Sequence, residues 1–289
     1  MRKSIGSWWQ FLLGLLLVAG LSACSMQPPV ATVAQDSASA PSASYGASAK
    51  MAAPAPKAAK AESTLGTQWG EGLESVTKVV RASRLTPDQP RFVGQMRYSD
   101  EASIRRALGQ YAERQLNALL ADGDVEMQIG SGQGRPPLRI FSSRGAQDYY
   151  VAGRAGERYE LIYTNRSNRY YEVVATVDGL DVLTGQPGSV RNEGYLLRPG
   201  ERLVIDGFRK NDREVAAFRF SNKERAYVNN TPAGDARNVG MIGSALFEVR
   251  LDERDPDLPV DPVPAAQRGQ PQAFPADGGR YAPPPQYRR

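Results

Sequence analysis

Histidine is absent from the 289 residues, and cysteine occurs once, as Cys24. The first absence excludes a His-based catalytic triad, a His general base and a His-ligated metal. The second excludes an intrachain disulfide, a CxxC redox pair and a cysteine zinc site. No cofactor and no metal site is therefore expected. Charge of one sign is scarce as well, with 36 basic against 31 acidic residues. That excess is too small for phosphate-backbone recognition, and no nucleic-acid partner is expected. No Gly-x-Ser-x-Gly elbow occurs, and there is no histidine to activate a serine. Gly130-Ser131-Gly132-Gln133-Gly134 lacks the Lys-Ser/Thr of a phosphate loop and reads as a plain loop. Long hydrophobic runs are missing except near the start. There, Phe11 to Ala23 (FLLGLLLVAGLSA) is too short to cross a ~30 Å hydrocarbon core as a helix. With 41% apolar residues, 28 Gly and 21 Pro, the composition is that of a folded core with loose flanks.

That apolar run follows Arg2 and Lys3, and residues 1–23 read as a secretory signal. Its end, Leu21-Ser22-Ala23-Cys24, resembles the lipobox of bacterial, specifically proteobacterial, lipoproteins. The resemblance implies cleavage before Cys24, palmitate-type acylation of that cysteine and attachment to a membrane through the lipid. Ser25, at the position where Asp would imply retention at the inner membrane, implies the outer membrane, with the module facing the periplasm. One acyl chain holds a protein only marginally; the two or three of this lipoprotein type make a durable anchor.

Residues 24–63 are rich in Ala, Ser and Pro with no hydrophobic period, and read as a disordered tether. About 40 flexible residues reach roughly 35 Å. Residues 252–289 form a second low-complexity segment with Pro256, Pro259, Pro262, Pro264 and Pro283-Pro284-Pro285. This tail favours polyproline II without a packed core, and could dock into an aromatic groove of a partner.

Between these flanks, residues 64–123 predict a strand hairpin and one amphipathic helix. The strands are expected at Val76–Ser83 and Arg91–Tyr98. The helix is expected to start at Ser99 or Asp100, to carry Ile104, Leu108, Tyr111, Leu116, Leu119 and Leu120, and to stop at Asp122-Gly123. Residues 124–251 predict short antiparallel strands. Tyr159, Leu161 and Tyr163 alternate, as do Tyr171, Val173, Ala175 and Val177, and Met241, Gly243, Ala245, Phe247, Val249 and Leu251 share a face. Turn chemistry at Asp178-Gly179 and Arg198-Pro199-Gly200-Glu201 separates them. The fold class expected is mainly β with one helix (α+β), an antiparallel β-sandwich or barrel-like body between disordered segments.

Val177-Asp178-Gly179, Leu183-Thr184-Gly185, Gly194-Tyr195, Pro199-Gly200, Ile205-Asp206-Gly207-Phe208-Arg209, Ala217-Phe218-Arg219-Phe220 and Asn238-Val239-Gly240-Met241-Ile242-Gly243 lie between Gly156 and Glu248. On these residues that segment resembles a C-terminal β-rich domain of uncharacterised proteobacterial lipoproteins. The resemblance implies a shared fold and carries no activity.

Two groups of residues remain for function. Arg166, Arg169, Tyr170 and Tyr171, with Arg209, Lys210 and Arg213, combine flat aromatic and guanidinium groups that stack on sugars or grip carboxylates. They are the candidate ligand-binding residues, for an envelope protein or for peptidoglycan or lipopolysaccharide. Asp178, Asp181, Glu193 and Asp206 are the candidate carboxylates for glycan hydrolysis, which needs two carboxyls about 5–9 Å apart. The first group supports a non-enzymatic binding or scaffold unit, with no catalytic residues. The second supports the alternative, a carboxylate-based hydrolase acting on envelope glycan.

Overall fold

Tyr171, Val173, Ala175 and Val177 face one way and Tyr170, Glu172, Val174 and Thr176 the other, because side chains alternate along a strand. In the computed structural model this strand pairs on both sides, and both of its faces are covered. The structure describes residues 62–132, 134–143, 148–252, 271–273 and 281–287, all within the compact unit Pro56–Arg289. Cys24, the signal segment and most of the tether lie outside the described residues.

The described strands are β1 (Leu65–Glu74), β2 (Lys78–Val79), β3 (Ala82–Arg84), β4 (Phe92–Ser99), β5 (Ala112–Gln115), β6 (Ala118–Leu120), β7 (Val125–Gly130), β8 (Ile140–Ser143) and β9 (Tyr149–Ala152). They continue with β10 (Glu160–Asn165), β11 (Tyr170–Val177), β12 (Leu180–Asp181), β13 (Tyr195–Leu197), β14 (Arg202–Ile205), β15 (Gly207–Arg209), β16 (Glu214–Asn222), β17 (Met241–Leu251) and β18 (Gln272–Ala273). One α-helix, α1 (Glu101–Leu108), follows β4. The architecture is mainly β with a sandwich-like body, as the alternation predicts.

The largest sheet runs β2-β18-β13-β11-β17-β4-β9-β8-β5, with β12 on β11 and β3 on β17. Opposite it lie β14-β10-β7-β6 and β1-β16-β15. These two join into one layer. Only Asp206 separates β14 from β15, and Tyr159, just before β10, donates its N–H to Phe218 O of β16 at 3.1 Å. The main core fills the space between the layers. Val125, Met127, Ile129, Leu161, Tyr163 and Leu203 come from one side and Met96, Tyr98, Tyr171, Val173, Ile242 and Leu246 from the other. Full burial of such a side chain contributes roughly 1.5–3 kcal/mol. Pairings of β1 with β16, β4 with β17 and β6 with β7 all cross the 123/124 boundary of the sequence reading.

The outer face of the large sheet carries a second cluster, Val80, Val174, Leu196, Ala245, Phe247 and Val249. Arg84 sits on it, with its guanidinium carbon 3.7 Å from the centre of the Phe247 ring. It makes a two-point pair with Glu172 at 2.6 and 3.0 Å. It also donates to the carbonyls of Val190 and Asn192. The loop before β13 is thereby tied to the sheet.

Three expectations are corrected. The helix ends at Leu108, not near Leu120. Asp100 caps its start, accepting from Ser103 N at 2.9 Å, and Gly109 at φ 63 ends it. Beyond Gly109, β5 pairs with β8 and β6 with β7; strand pairing overrides the apparent helical stripe, leaving Leu116 and Leu119 exposed. The expected hairpin does not form either. β3 and β4 both pair with β17, Arg84 opposite Val249 and Phe92 opposite Leu246, because that 11-residue strand has an edge long enough for both. Finally, the tail is packed where it is described. β18 bridges β13 and β2, and Ala273 and Ala282 are buried. The rest of the tail lies outside the described residues.

Candidate functional site

The connection from β10 to β11 holds the first basic and aromatic group. The Asn165 side chain shapes it by accepting from Ser167 N at 2.9 Å and donating to Arg169 O at 2.6 Å. Its charges are balanced from within. Arg166 pairs closely with Glu126. Arg169 donates to Asp124 at 2.8 Å and lies 3.8 Å from Glu248. The Tyr171 hydroxyl also donates to Asp124, at 2.5 Å, and burial raises its pKa. Tyr171 is buried in the main core, and Tyr170 packs on the outer cluster. Tyr171 therefore offers no free ring face for stacking on a sugar, and Tyr170 is half-buried.

Arg209, Lys210 and Arg213 sit at the end of β15 and the start of β16. Arg209 is 2% exposed, so it cannot serve as a surface contact. Its guanidinium donates to the Ser75 carbonyl, to Ser75 Oγ at 3.2 Å and to the Tyr195 hydroxyl at 3.3 and 3.4 Å. Lys210 pairs with Glu214 at 2.8 Å, and Arg213 is exposed. Gly200 N bonds Asn165 O, which places the first basic group beside the start of β14. Arg202 to Arg209 then runs extended over roughly 25 Å. The two basic groups therefore lie at opposite ends of one extended run and do not form a common site.

Of the four carboxylates, Asp178 and Asp181 are both enclosed. Asp178 adopts φ 52, as the Asp-Gly turn demands, and is 1% exposed. Its carboxylate accepts from Thr67 N, Tyr98 Oη and Gly240 N at 2.8, 2.6 and 2.8 Å. Thr67 Oγ1 lies 2.7 Å from the Tyr98 hydroxyl and 2.6 Å from that of Tyr159. Burial pushes the Asp178 carboxyl up to about 6, against the opposing pull of its hydrogen bonds. Burial also drives Tyr98 and Tyr159 well above the ordinary phenol value. Asp181 accepts from Leu183 N, Thr184 N and Thr184 Oγ1 at 3.1, 2.8 and 2.8 Å, and burial raises its pKa too. Both acids organise turns and have no face open to a glycan. Among the described residues no cluster of three or more Asp, Glu, Cys or His has metal-binding geometry.

A cavity of about 230 Å³ opens between the layers. Phe92, Met96, Leu120, Met127, Tyr149 and Ile242 line it, with Gln95, Asp148 and Ser244 also on its wall. It exists because β4 pairs with β9 only over Met96–Ser99, and because β6 is the last strand of its sheet. Gly94, opposite Ser244, has no side chain to close the gap; a Cβ there would lie 2.4 Å from the Phe92 ring. The Ser244 hydroxyl is satisfied by Tyr163 Oη at 2.7 Å. The rim carries Val93 and Leu119, 63% and 58% exposed.

Local pattern does not single these residues out as a site: Leu119 and Leu120 fall at spacings that predict a helix. The one available signal was a glycine, Gly94, inside a strand pattern, which marks a close approach or a missing side chain. No protein family, curated protein or solved structure matches the chain.

Proposed function

We propose that this chain is a lipid-anchored envelope protein whose β-rich module binds a partner protein without catalysing a reaction. The anchor reading rests on the sole cysteine falling in Leu21-Ser22-Ala23-Cys24 after an apolar run. The binding reading rests on the cavity between the layers. Six apolar side chains line it beside Gln95, Asp148 and Ser244, and exposed Val93 and Leu119 flank its mouth. An apolar side chain from a protein fits that lining better than a hydroxyl-rich glycan, which would leave its polar groups unpaired. The hydrolase alternative is not favoured, since Asp178 and Asp181 are enclosed and bonded to amides.

The test is a photo-crosslinking residue placed at Leu119 of the full chain in intact cells. The expected result is a discrete adduct with an envelope protein that disappears when Val93→Asp is added. The same adduct from a probe at the distant, exposed Arg213, or no adduct at all, removes the reading.

A further inference from the structure

The C-terminal segment Tyr281–Tyr287 lies in a groove whose hydrogen-bonding groups match a proline-rich peptide. Ala282 N donates to Arg209 O at 2.9 Å, and Gln286 N donates to Asn230 O at 2.7 Å. Between them stand Pro283, Pro284 and Pro285, which have no N–H. The groove answers there with a donor: the Tyr227 hydroxyl bonds the Pro283 carbonyl at 2.6 Å. The Tyr281 hydroxyl bonds Asp212. The one buried side chain in this stretch is the methyl of Ala282, 5% exposed. Gly185 at φ 65 makes its seat, since a Cβ there would lie 3.0 Å from Ala282 and 2.8 Å from the Tyr227 hydroxyl.

We infer that the groove formed by Gly185, Arg209, Tyr227 and Asn230 is a recognition site for an extended peptide with a small residue followed by prolines. The chain's own tail occupies it as a displaceable self-ligand. Polyproline II is preorganised, so such a peptide loses little entropy on docking. The pattern of acceptor, hydroxyl donor and acceptor selects residues with N–H on either side of a stretch without them. The small seat at Gly185 admits Ala and rejects larger side chains. The anchoring is light, resting on one methyl and a few hydrogen bonds. Carried by the same chain, the tail competes at an effective concentration of order millimolar, which a partner peptide can match. The occupant to which the site responds is thus a partner protein carrying a proline-rich segment, with the tail as its competitor. The inference is independent of the cavity between the layers.

The experiment uses the full chain with Cys24→Ser, so that the introduced cysteines are the only ones. Spin labels are placed by Glu224→Cys and Tyr287→Cys, two positions lining one surface pocket beside the tail. The probe is a synthetic peptide of residues 279–289 at millimolar concentration. Expected is a short label distance that gives way to a long, broad one as peptide is added, and that a peptide with Asp in place of Ala282 leaves unchanged. Tyr227→Phe, which keeps the buried ring, should raise the undocked-to-docked ratio about five-fold, the effect of one hydrogen bond. A short distance indifferent to both peptide and Tyr227→Phe would make the tail a permanent part of the fold and overturn the proposal. Absence of any short distance would overturn it too. So would a short distance arising between singly labelled copies, which would assign the groove to a second copy of the chain.

Discussion

Tyr98 donates its hydroxyl to Asp178 Oδ1 at 2.6 Å, joining two buried residues 80 apart in sequence. The same carboxylate takes the amides of Thr67 and Gly240. One aspartate therefore holds β1, β4, the turn after β11 and the entry to β17.

Asp178→Ala should destabilise the module by about 3–5 kcal/mol, because it orphans buried donors that each cost about 1–3 kcal/mol. Urea unfolding is the measurement. A loss below about 1 kcal/mol would show that the network is not what holds these segments.

The same residue sets a pH dependence. Its folded pKa of about 6 lies above the ordinary 3.8, so the native state binds the proton more tightly than the unfolded chain. Its contribution is fully present below 3.8 and is lost as pH rises through about 6. Relative to Asp178→Asn, which does not titrate, the wild type should gain stability between pH 7 and pH 4. At roughly 1.4 kcal/mol per pH unit the gain is at most about 3 kcal/mol. Paired unfolding curves across that range check it, and parallel curves would contradict it.

Arg84 and Glu172 form an almost solvent-free pair, with side chains 14% and 3% exposed. Arg84→Ala leaves Glu172 buried without its countercharge and should cost about 3–5 kcal/mol. The double change Arg84→Met with Glu172→Leu should recover part of that loss, since apolar groups replace a desolvated pair, although it also strips the Gly194 N–H of its acceptor at 2.8 Å. A double variant as unstable as Arg84→Ala would point instead to the bonds to Val190, Asn192 and Gly194 as the main contribution.

The basic residues at the β15–β16 turn should separate cleanly. Arg209→Met strips hydrogen bonds from Ser75 and Tyr195 and should cost about 3 kcal/mol, whereas Arg213→Ala, on an exposed loop, should stay within about 0.5 kcal/mol. Thermal unfolding of the two variants side by side decides this. Equal effects would mean that the burial of Arg209 carries no energetic weight.

Cys24→Ala should abolish incorporation of a labelled fatty acid and release the chain from the membrane fraction. Unchanged labelling in the variant would remove the anchor from the proposal.

How much could be read in advance varied with the range of the interaction. Tyr171, Val173, Ala175 and Val177 declared their strand because alternation is local. The Asp178-Gly179 turn was equally legible, since an Asp-Gly pair meets the positive φ there. Leu116, Leu119 and Leu120 misled because short strands leave apolar residues at spacings that imitate a helix. The ligand candidates were chosen by residue type, and type does not reveal partners. Arg209 carries the same charge as Arg213, yet one is enclosed and the other exposed.

The amino-acid order alone determined the exclusion of histidine and paired-cysteine chemistry, the lipobox-like signal and the mainly β character of the body. All of these depend on composition or on neighbours a few residues apart. Only the tertiary structure decided that β3 and β4 share the edge of β17, that Asp124 and Glu126 neutralise Arg169 and Arg166, and that the tail returns to Tyr227 and Asn230. Each of these joins residues distant in sequence. Whether such groups meet depends on which strand edges are long enough and which buried charges need a partner, and local pattern encodes neither.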